Sequence, residues 1–367
     1  MKIKAAVVRE PGSPFVMEEL ELDEPRDNEI LVRMVGCGLC STDLTAQHGH
    51  LPVKFPGVFG HEGSGIVEKV GSQVKTIKPG DHVAMSYTSC GHCNSCVKGH
   101  PTHCDVFFPF NFLLGGRPDG SPTMRKGDET IFGGFFGQSS FATYALATER
   151  NIVKVPEDVP VEMLGPMGCA LQTGIGGIFY SLKVTPGSSI AIFGGTGSVG
   201  VSAIMGALVS GATKIIVVSR SDEKMKRTEQ FGATHFVNSG KCDPVEEIKN
   251  ITGGVGADFS MECTARPEIL RQAVDCLKMG GKCGLVGAAP MGTEVSLDMQ
   301  ILLDGRTVTG IVEGDAISRI LIPQLIELYK QGRLPFDKMI EYYSFDDINK
   351  AVEDLQSGKV IKAVLKF

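Results

Sequence analysis

The fold class of this chain is decided by residues 189–200, which read Ser189-Ile190-Ala191-Ile192-Phe193-Gly194-Gly195-Thr196-Gly197-Ser198-Val199-Gly200. A short apolar run leads into the pattern Gly-x-Gly-x-x-Gly, and small residues follow from Val201 to Ser210. This order predicts a buried strand, a tight turn and a helix whose N-terminus can receive the pyrophosphate of a dinucleotide. The pattern alone is weak in a chain with 46 glycines. The flanking strand and helix therefore carry the prediction of a Rossmann domain.

The pattern of the chain changes near Ala170 and again near Val312. Before Ala170 it has short segments rich in Val and Ile, broken by Gly and Pro, which predict a β-rich lobe. Between these positions short apolar runs alternate with helix-length segments, as in a doubly wound parallel sheet with crossover helices. The last part predicts two amphipathic helices, at 317–331 and 345–357, and a strand at 359–366. We therefore expect three regions, which are residues 1–169, 170–312 and 313–367.

Composition excludes several classes of protein. The chain has 367 residues, and at roughly 150 residues per domain this suggests about two domains. A net charge of −6 disfavours nucleic-acid and membrane-surface partners, which reward a basic face. The sequence shows neither a signal peptide nor a transmembrane run, so we expect a cytoplasmic protein. The 11 cysteines are an odd number in a chain too large to need a disulfide scaffold, which favours metal ligands.

Four cysteines form a compact cluster in the sequence. Cys90, Cys93, Cys96 and Cys104 are separated by two, two and seven residues. A short loop with this spacing can wrap one zinc ion tetrahedrally, whereas a bacterial iron–sulfur run ends C-x3-C-P. His92, His100 and His103 lie near enough to be rival ligands. Because four cysteines already saturate zinc, we predict an all-cysteine structural site in the lobe 90–104.

A second set of metal-binding residue types is dispersed along the chain. It comprises Cys40 in Gly-Leu-Cys-Ser-Thr-Asp at 38–43, His61 in Gly-His-Glu-x2-Gly at 60–65, and Cys169 after Gly168. These segments and the cysteine quartet, in this order, resemble the zinc-dependent medium-chain alcohol dehydrogenases. The resemblance runs from about residue 7 to residue 367. It is strongest to the benzyl and aryl alcohol dehydrogenases, especially over the tail at 322–336.

The resemblance implies a GroES-like catalytic domain built from both chain ends around the Rossmann domain. It also implies a catalytic zinc held by Cys40, His61 and Cys169, with a fourth position left open for substrate. Thr42 matches the hydroxyl that passes on the substrate proton, and Asp43 matches the carboxylate that orients the histidine. Glu62 matches a supporting acid beside the zinc.

The proton path beyond Thr42 departs from the family pattern. Many relatives carry a histidine five residues after the first zinc cysteine, and Thr45 stands there in this chain. The proton can leave through Thr45 and water, or His48 can substitute. An equally good interpretation of His48 and His50 is that they are exposed loop residues.

The end of the strand after the glycine turn selects the cofactor. NAD sites usually place Asp or Glu there to hold the ribose hydroxyl, whereas this chain has Ser219 followed by Arg220. A hydroxyl and a guanidinium suit a 2′-phosphate, so we predict NADP(H) rather than NAD(H). The alternative is that Arg220 only faces water. The resemblance adds Lys362 as a pyrophosphate contact. The predicted cofactor-binding residues are Gly195, Thr196, Gly197, Ser198, Val199, Gly200, Ser219, Arg220, Lys224 and Lys362.

An aromatic run just after the quartet is the candidate substrate pocket. Residues 107–114 read Phe-Phe-Pro-Phe-Asn-Phe-Leu-Leu, which predicts a loop because proline breaks it. Its rings could line a pocket for a flat apolar alcohol or aldehyde, or pack the loop onto the β-rich lobe or onto a partner subunit. We name Leu51, Phe107, Phe108 and Phe110 as pocket candidates, with Phe55, Phe135 and Phe136 as weaker ones.

The sequence therefore predicts an enzyme that transfers hydride between NADP(H) and an aromatic or allylic primary alcohol or aldehyde. It is expected to hold two zinc ions per chain and to form a homodimer or homotetramer. The alternatives are an NAD(H)-dependent or polyol and aliphatic alcohol dehydrogenase of the same family, and a non-catalytic zinc-binding scaffold. The open zinc site and the intact glycine turn argue against the scaffold.

Overall fold

The structure is a computed structural model that describes residues 1–367 and divides into two compact units. The first unit comprises Met1–Cys169, Ile317–Ile326 and Asp337–Phe367. The second unit comprises Ala170–Ala316 and Glu327–Phe336. Both chain ends therefore belong to one unit, and the dinucleotide turn belongs to the other. None of the helices combines the length and the apolar character that crossing a lipid bilayer requires.

The first 169 residues form ten strands and two short α-helices, with several single turns of other helix types between them. The strands are β1 (Lys2–Val8), β2 (Val16–Leu22), β3 (Glu29–Gly38), β4 (Gly57–Val58), β5 (Glu62–Val70), β6 (His82–Met85), β7 (Met124–Lys126), β8 (Glu129–Ile131), β9 (Tyr144–Thr148) and β10 (Ile152–Lys154). The helices are α1 (Ser41–Gln47) and α2 (Asn94–Val97).

The middle of the chain alternates between helix and strand. The helices are α3 (Ala170–Gly176), α4 (Ser198–Val209), α5 (Asp222–Lys226), α6 (Pro244–Ile251), α7 (Pro267–Asp275) and α8 (Met299–Leu303). The strands are β11 (Ser189–Phe193), β12 (Lys214–Ser219), β13 (His235–Asn238), β14 (Ala257–Glu262), β15 (Leu277–Leu285) and β16 (Thr307–Gly310). The chain ends with α9 (Ser318–Lys330), β17 (Ile340–Ser344), α10 (Ile348–Gln356) and β18 (Lys362–Lys366).

Two mostly antiparallel sheets build the first unit. One has the order β4-β1-β2-β7-β8, and the other has the order β10-β6-β5-β3-β18-β17 with β9 also paired to β3. The C-terminal strand β18 pairs with β3, so the end of the chain completes a sheet begun near its start. Burial alternates only at the start of β1, and most residues of β3 are buried. Both strands contribute apolar side chains to a core that includes Phe141, Ile131 and Leu365. The unit is β-rich, as predicted.

A six-stranded parallel sheet forms the centre of the second unit. Its order is β13-β12-β11-β14-β15-β16, so the direction of winding reverses between β11 and β14. Strand β11 is buried over its whole length, which is why its sequence is an apolar run rather than an alternating one. This sheet confirms the predicted Rossmann architecture. Ligands of such sheets bind outside the carboxyl ends of the strands at the reversal point.

Two expectations about local structure need correction. The first assigned all of residues 313–367 to the catalytic region, whereas residues 313–316 and 327–336 group with the second unit. Gly314 packs so closely on α3 that an added Cβ would lie 2.2 Å from the carbonyl oxygen of Gln172. The second made residues 107–114 a loop. They form a helical turn with a π-helical segment at Pro109–Leu113, because proline is acceptable in a first turn.

Candidate active site and metal centres

Asp43 organises the first group of predicted ligands. Its Oδ1 lies 2.8 Å from Nδ1 of His61 and accepts the backbone N–H of Gly60 at 3.1 Å. Its Oδ2 accepts the backbone N–H of Cys40 at 3.0 Å, at the start of α1. One buried carboxylate therefore fixes the backbone of one ligand and the ring of another. The Nδ1–H of His61 donates to Asp43, which leaves Nε2 free to bind a metal.

Cys169 completes this group from just before α3. Its sulfur lies 3.2 Å from Nε2 of His61. The ligand atoms of Cys40, His61, Glu62 and Cys169 all lie within 4.8 Å of one another, and all four residues are buried. Gly168 allows the close approach, because a Cβ there would lie 1.8 Å from the carbonyl oxygen of Met85. Cys169 lies more than 100 positions after the other three residues in the sequence, and the fold brings it to them.

The electrostatics of the group suit a cation. The hydrogen bond from Cys169 and the charge on His61 hold the pKa of the Cys40 thiol well below its ordinary value. Thiolate is the form of cysteine that binds metals. Burial opposes charge on His61, but the Asp43 carboxylate raises the pKa of the ring well above its usual range. Two cysteines and an imidazole nitrogen form a donor set that fits catalytic zinc, with a fourth position left open.

Glu62 contacts the same group but is paired with Lys362. The Lys362 ammonium lies 2.9 Å from both carboxylate oxygens of Glu62 and donates to the Leu39 carbonyl at 2.9 Å. Both side chains are fully buried. Burial raises the pKa of Glu62 to about 7, against the pull of Lys362. Gly38 makes room for this carboxylate, since a Cβ there would lie 1.9 Å from Oε2 of Glu62.

The structure corrects the expected role of Lys362. The family resemblance implied that its ammonium contacts the pyrophosphate of the cofactor. In the structure the side chain has no exposed surface, and Glu62 and Leu39 occupy its three N–H donors. A lysine committed in this way neutralises a buried carboxylate beside the ligand group and offers no donor to a phosphate.

The relay candidates lie on or near α1. The Thr42 hydroxyl is half-buried and lies 3.7 Å from the Cys40 sulfur, next to the ligand group. The Thr45 hydroxyl donates to the Ser41 carbonyl at 2.9 Å, one turn back along the helix.

The two histidines near α1 lie in a different environment. His48 and His50 are exposed, and their rings stack 5.9 Å apart. Nδ1 of His48 lies 2.7 Å from the Leu44 carbonyl oxygen. Only Thr42 of the relay candidates is in contact with a predicted metal ligand.

The cysteine quartet forms a separate group. The sulfur atoms of Cys90, Cys93, Cys96 and Cys104 lie within 4.8 Å of one another. Backbone N–H groups point into the cluster, since Cys90 N–H donates to Cys104 Sγ and Cys93 N–H to Cys90 Sγ, both at 3.3 Å. The three nearby histidines, which were rival ligands, lie outside this group. Four converging sulfurs fit a closed tetrahedral zinc site without an open position.

The glycine turn has the geometry that a dinucleotide site needs. Gly194 has φ +77°, which favours glycine, and Gly197 is the residue that precedes α4. A Cβ on Gly200 would lie 2.5 Å from the Gly194 carbonyl oxygen, so the helix can start this close to the turn only with glycine there. Thr196, Ser198 and Val199 lie partly exposed in the same turn. The first N–H groups of α4 are therefore free to meet an anion.

The residues predicted to select the cofactor lie at the end of β12. Ser219 is the last residue of that strand and is half-buried, and Arg220 follows it and is exposed. The Ser221 hydroxyl caps α5 by accepting the backbone N–H of Lys224 at 3.3 Å. The Asp222 carboxylate points to the end of β13, where the Asn238 side chain donates to it at 2.6 Å. The carboxylate nearest this strand end is therefore engaged within the protein.

The aromatic candidates divide into different environments. Phe107 packs against Tyr87 with ring centroids 5.6 Å apart, Phe108 is 37% exposed, and Phe110 lines a cavity of about 320 Å³ with Cys90. Leu51 and Phe55 are half-buried and pack against the core of the first unit.

The aromatic rings that contact the predicted zinc ligand His61 belong to Phe135 and Phe136. Phe136 stacks on His61 with centroids 4.4 Å apart, and Phe135 meets the same ring edge-on at 5.6 Å. Phe112, which the sequence analysis did not single out, contacts Phe136 at 5.0 Å.

Gln138 is a second residue that the sequence analysis missed. Its amide nitrogen donates to the His61 carbonyl at 2.9 Å and to the Ser86 carbonyl at 3.0 Å, so it helps to fix the histidine backbone. No local motif marks it. Its role depends on contacts between segments that are more than 50 residues apart in the sequence.

Comparison with known proteins agrees with this geometry. Residues 26–157 match the alcohol dehydrogenase GroES-like domain, and residues 198–331 match the zinc-binding dehydrogenase domain. The geraniol dehydrogenase of Castellaniella defragrans is 42% identical over 366 residues, which cover 99% of this chain and 97% of that protein.

Two solved structures are similar over essentially the whole chain. The benzyl alcohol dehydrogenase of Acinetobacter calcoaceticus has a TM-score of 0.96 at 44% identity, covering 100% of this chain and 99% of the other. An alcohol dehydrogenase zinc-binding domain protein from Burkholderia ambifaria has a TM-score of 0.97 at 46% identity, with the same coverage. With both domain types matched and full-length relatives above 40% identity, this chain belongs to the zinc-dependent medium-chain alcohol dehydrogenase family of oxidoreductases.

Proposed function

We propose that this enzyme transfers hydride between NADP(H) and an aromatic or allylic primary alcohol or aldehyde. The observation that carries the proposal is the convergence of Cys40, His61 and Cys169 with the Asp43 carboxylate behind the histidine. In the oxidative direction the alcohol carbon gives a hydride to the nicotinamide, and the hydroxyl proton leaves separately. The aldehyde and NADPH are then the products.

Each residue of the group has a distinct task in this proposal. Cys40, His61 and Cys169 would hold a zinc ion, which when bound supplies a Lewis acid for the substrate oxygen. Asp43 keeps His61 in the tautomer and orientation that present Nε2. The Thr42 hydroxyl accepts the substrate proton and passes it outward. Glu62 forms an ion pair with Lys362, so the two residues together add no net charge beside the zinc ligands.

The cysteine quartet takes a different part. We assign to Cys90, Cys93, Cys96 and Cys104 a second zinc ion with a structural role, since four thiolates leave no position for substrate. Two zinc ions per chain are therefore expected. The N–H groups that point at these sulfurs support a thiolate cluster, because such groups stabilise negative charge on sulfur.

The preference for NADP(H) rests on the end of β12. Ser219 stands where a carboxylate would bind the ribose of NAD, and the exposed Arg220 guanidinium beside it can bind a 2′-phosphate. Lys224, four residues after Arg220 and within α5, adds positive charge. The engagement of Asp222 with Asn238 supports the proposal, because this carboxylate is already bound within the protein.

The substrate class rests on the relatives and on the aromatic side chains of the first unit. The relatives named geraniol and benzyl alcohol dehydrogenase suggest an allylic or benzylic alcohol. The half-buried Phe112 packs on the ring beside His61, which supports an apolar wall near the reacting centre. Leu51, Phe107, Phe108 and Phe110 remain pocket candidates.

We also propose that the enzyme is cytoplasmic and works as a homodimer or homotetramer. Strand β16 is an edge strand, and Met299 and Leu303 on the preceding helix α8 are 84% and 78% exposed. An unpaired strand edge beside exposed apolar side chains supports association with another copy. Light scattering of the purified protein measures the assembly directly.

The proposal is tested by initial rates of benzaldehyde and geranial reduction, with NADPH and NADH in parallel. Turnover with at least a tenfold preference for NADPH is the expected result. Turnover with NADH preferred would retain the dehydrogenase reaction and refute the role of Ser219 and Arg220. Turnover only with polyols or aliphatic aldehydes would refute the substrate class, and no turnover in zinc-loaded protein would favour the scaffold alternative.

A further inference from the structure

We propose that Glu262 is a positioning residue that fixes the dinucleotide turn by anchoring the loop that covers it. This inference rests on the proposed function, because it assumes that the turn at residues 194–200 binds the cofactor. Neither the glycine pattern nor the metal-ligand motifs include Glu262.

Glu262 lies at the carboxyl end of a strand in the parallel sheet. It is the last residue of β14 and is paired in register with Phe193, the last residue of β11. These two strands flank the point where the winding of the sheet reverses, which is where such sheets bind their ligands. The side chain is nevertheless fully buried. It therefore acts through its neighbours rather than by touching the cofactor.

The Glu262 carboxylate is bound by its own loop. The backbone N–H and the hydroxyl of Thr264 both donate to Oε1, and the Ala265 N–H donates to Oε2 at 3.2 Å. Ala265 has φ +62°, a left-handed conformation that is costly for a residue with a Cβ. The bond to Glu262 thus holds the loop in a conformation that alanine does not favour by itself.

This loop lies directly on the dinucleotide turn. A Cβ added to Gly194 would lie 2.8 Å from the Thr264 methyl carbon and 3.4 Å from Cys263. The Gly194 carbonyl in turn accepts the Gly197 N–H at 3.2 Å, just before α4 begins. A displacement of Thr264 would therefore change the support of Gly194 and, through it, the start of the helix.

Glu262 also fixes the neighbouring strand end. Its backbone carbonyl accepts the N–H groups of Val286 at 2.9 Å and Gly287 at 3.1 Å, after β15. A Cβ on Gly287 would lie 2.2 Å from the Ala265 nitrogen and 2.6 Å from Oε2 of Glu262. One residue therefore connects the loops after β14 and β15 with the glycine turn.

Glu262→Gln is the direct test. The amide has nearly the same shape, but its NH₂ group must face an N–H donor of Thr264 or Ala265, so the loop loses at least one hydrogen bond. The matched control is Ser260→Ala in the same strand, which removes a buried hydrogen bond of 2.6 Å to the Ala273 carbonyl and leaves the loop untouched. Nicotinamide fluorescence measures the Kd of NADPH and of NADH. Calorimetry of the zinc-loaded proteins measures their stability.

We expect Glu262→Gln to raise the Kd and KM of the preferred dinucleotide about tenfold, with kcat and the KM of the aldehyde within about twofold. Ser260→Ala should lower the melting temperature without changing the Kd by more than about twofold. An unchanged Kd in Glu262→Gln, or an equal rise in both variants, would overturn the inference. Such results would leave Glu262 as an ordinary stabilising residue.

Thr264→Val provides an independent test if the Glu262→Gln variant does not fold. Valine keeps the methyl contact with Gly194 and removes only the hydroxyl that donates to Glu262. A Kd raised about threefold supports the inference, and an unchanged Kd contradicts it. A wild-type protein that binds neither NADPH nor NADH would refute the proposed function itself, and this result is distinct from any difference between variants.

Discussion

Oδ1 of Asp43 lies 2.8 Å from Nδ1 of His61, and neither side chain has any exposed surface. The same carboxylate also accepts the Cys40 N–H through Oδ2. Two predicted metal ligands from different segments are thus held by one residue. This explains how a short helix and a strand end can present their donor atoms to one ion.

Asp43→Asn tests this arrangement. The carboxylate of Asp43 accepts three N–H groups, and an amide would place its NH₂ group against at least one of them, so at least one hydrogen bond is lost. We expect kcat/KM to fall about 10-fold to 100-fold, with weaker zinc retention on dialysis, as for other residues that orient metal-binding histidines. Asp337→Asn, at an exposed position, is the control and should behave like wild type.

Lys362→Met distinguishes a structural from a cofactor-binding lysine. Removing one partner of a buried ion pair leaves the buried Glu62 carboxyl without its charge partner, at a cost of about 3–5 kcal/mol. We expect a melting temperature several degrees lower, partly restored in the double variant with Glu62→Gln. If the KM for NADPH rises strongly and stability is unchanged, the result would instead indicate that Lys362 contacts the pyrophosphate of the cofactor.

Cys96→Ser probes the quartet. Serine is a poor zinc ligand, so we expect the variant to lose one zinc ion per chain and to melt at lower temperature. The kcat of the protein that remains folded should stay within about threefold of wild type, since this site has no open position. Cys242→Ser, which changes an exposed cysteine outside the cluster, is the control. Unchanged zinc content and melting temperature in Cys96→Ser would refute the structural site.

Ser219→Asp tests the predicted preference for NADPH over NADH. The new carboxylate repels a 2′-phosphate and can accept the ribose hydroxyl of NADH. We expect the ratio of kcat/KM for NADPH to that for NADH to fall by about tenfold or more, which corresponds to at least 1.4 kcal/mol. Lys226→Gln, at the end of the following helix α5, controls for general charge effects. An unchanged ratio would show that the residues at the end of β12 do not bind the 2′-phosphate of NADPH.

Local motifs predicted much of the fold and of the metal groups. The turn at 194–200 and the cysteine quartet are short segments, so their residues lie close together in any compact structure. Family resemblance was needed for Cys40, His61 and Cys169, because no spacing rule connects residues that tertiary folding alone brings within reach. The parallel sheet followed from the alternation of apolar runs and helices.

Residues whose roles depend on distant partners escaped prediction. Lys362 has the residue type of a phosphate ligand, yet Glu62, 300 positions away, occupies its ammonium in the core. Phe136 was predicted only as a weaker pocket candidate, and its stacking on His61 follows a left-handed backbone conformation at φ 54° that the sequence does not mark. Glu262 gave no signal because its partners are backbone N–H groups, which every sequence contains.

The zinc content of Cys169→Ala, measured beside the wild type, tests the catalytic metal centre itself. We predict two zinc ions per wild-type chain and one in the variant. Alcohol oxidation should be lost in the variant, while its melting temperature stays close to that of the wild type. A variant that still holds two zinc ions and oxidises alcohol at the wild-type rate would contradict the assignment of Cys40, His61 and Cys169 as the catalytic metal centre.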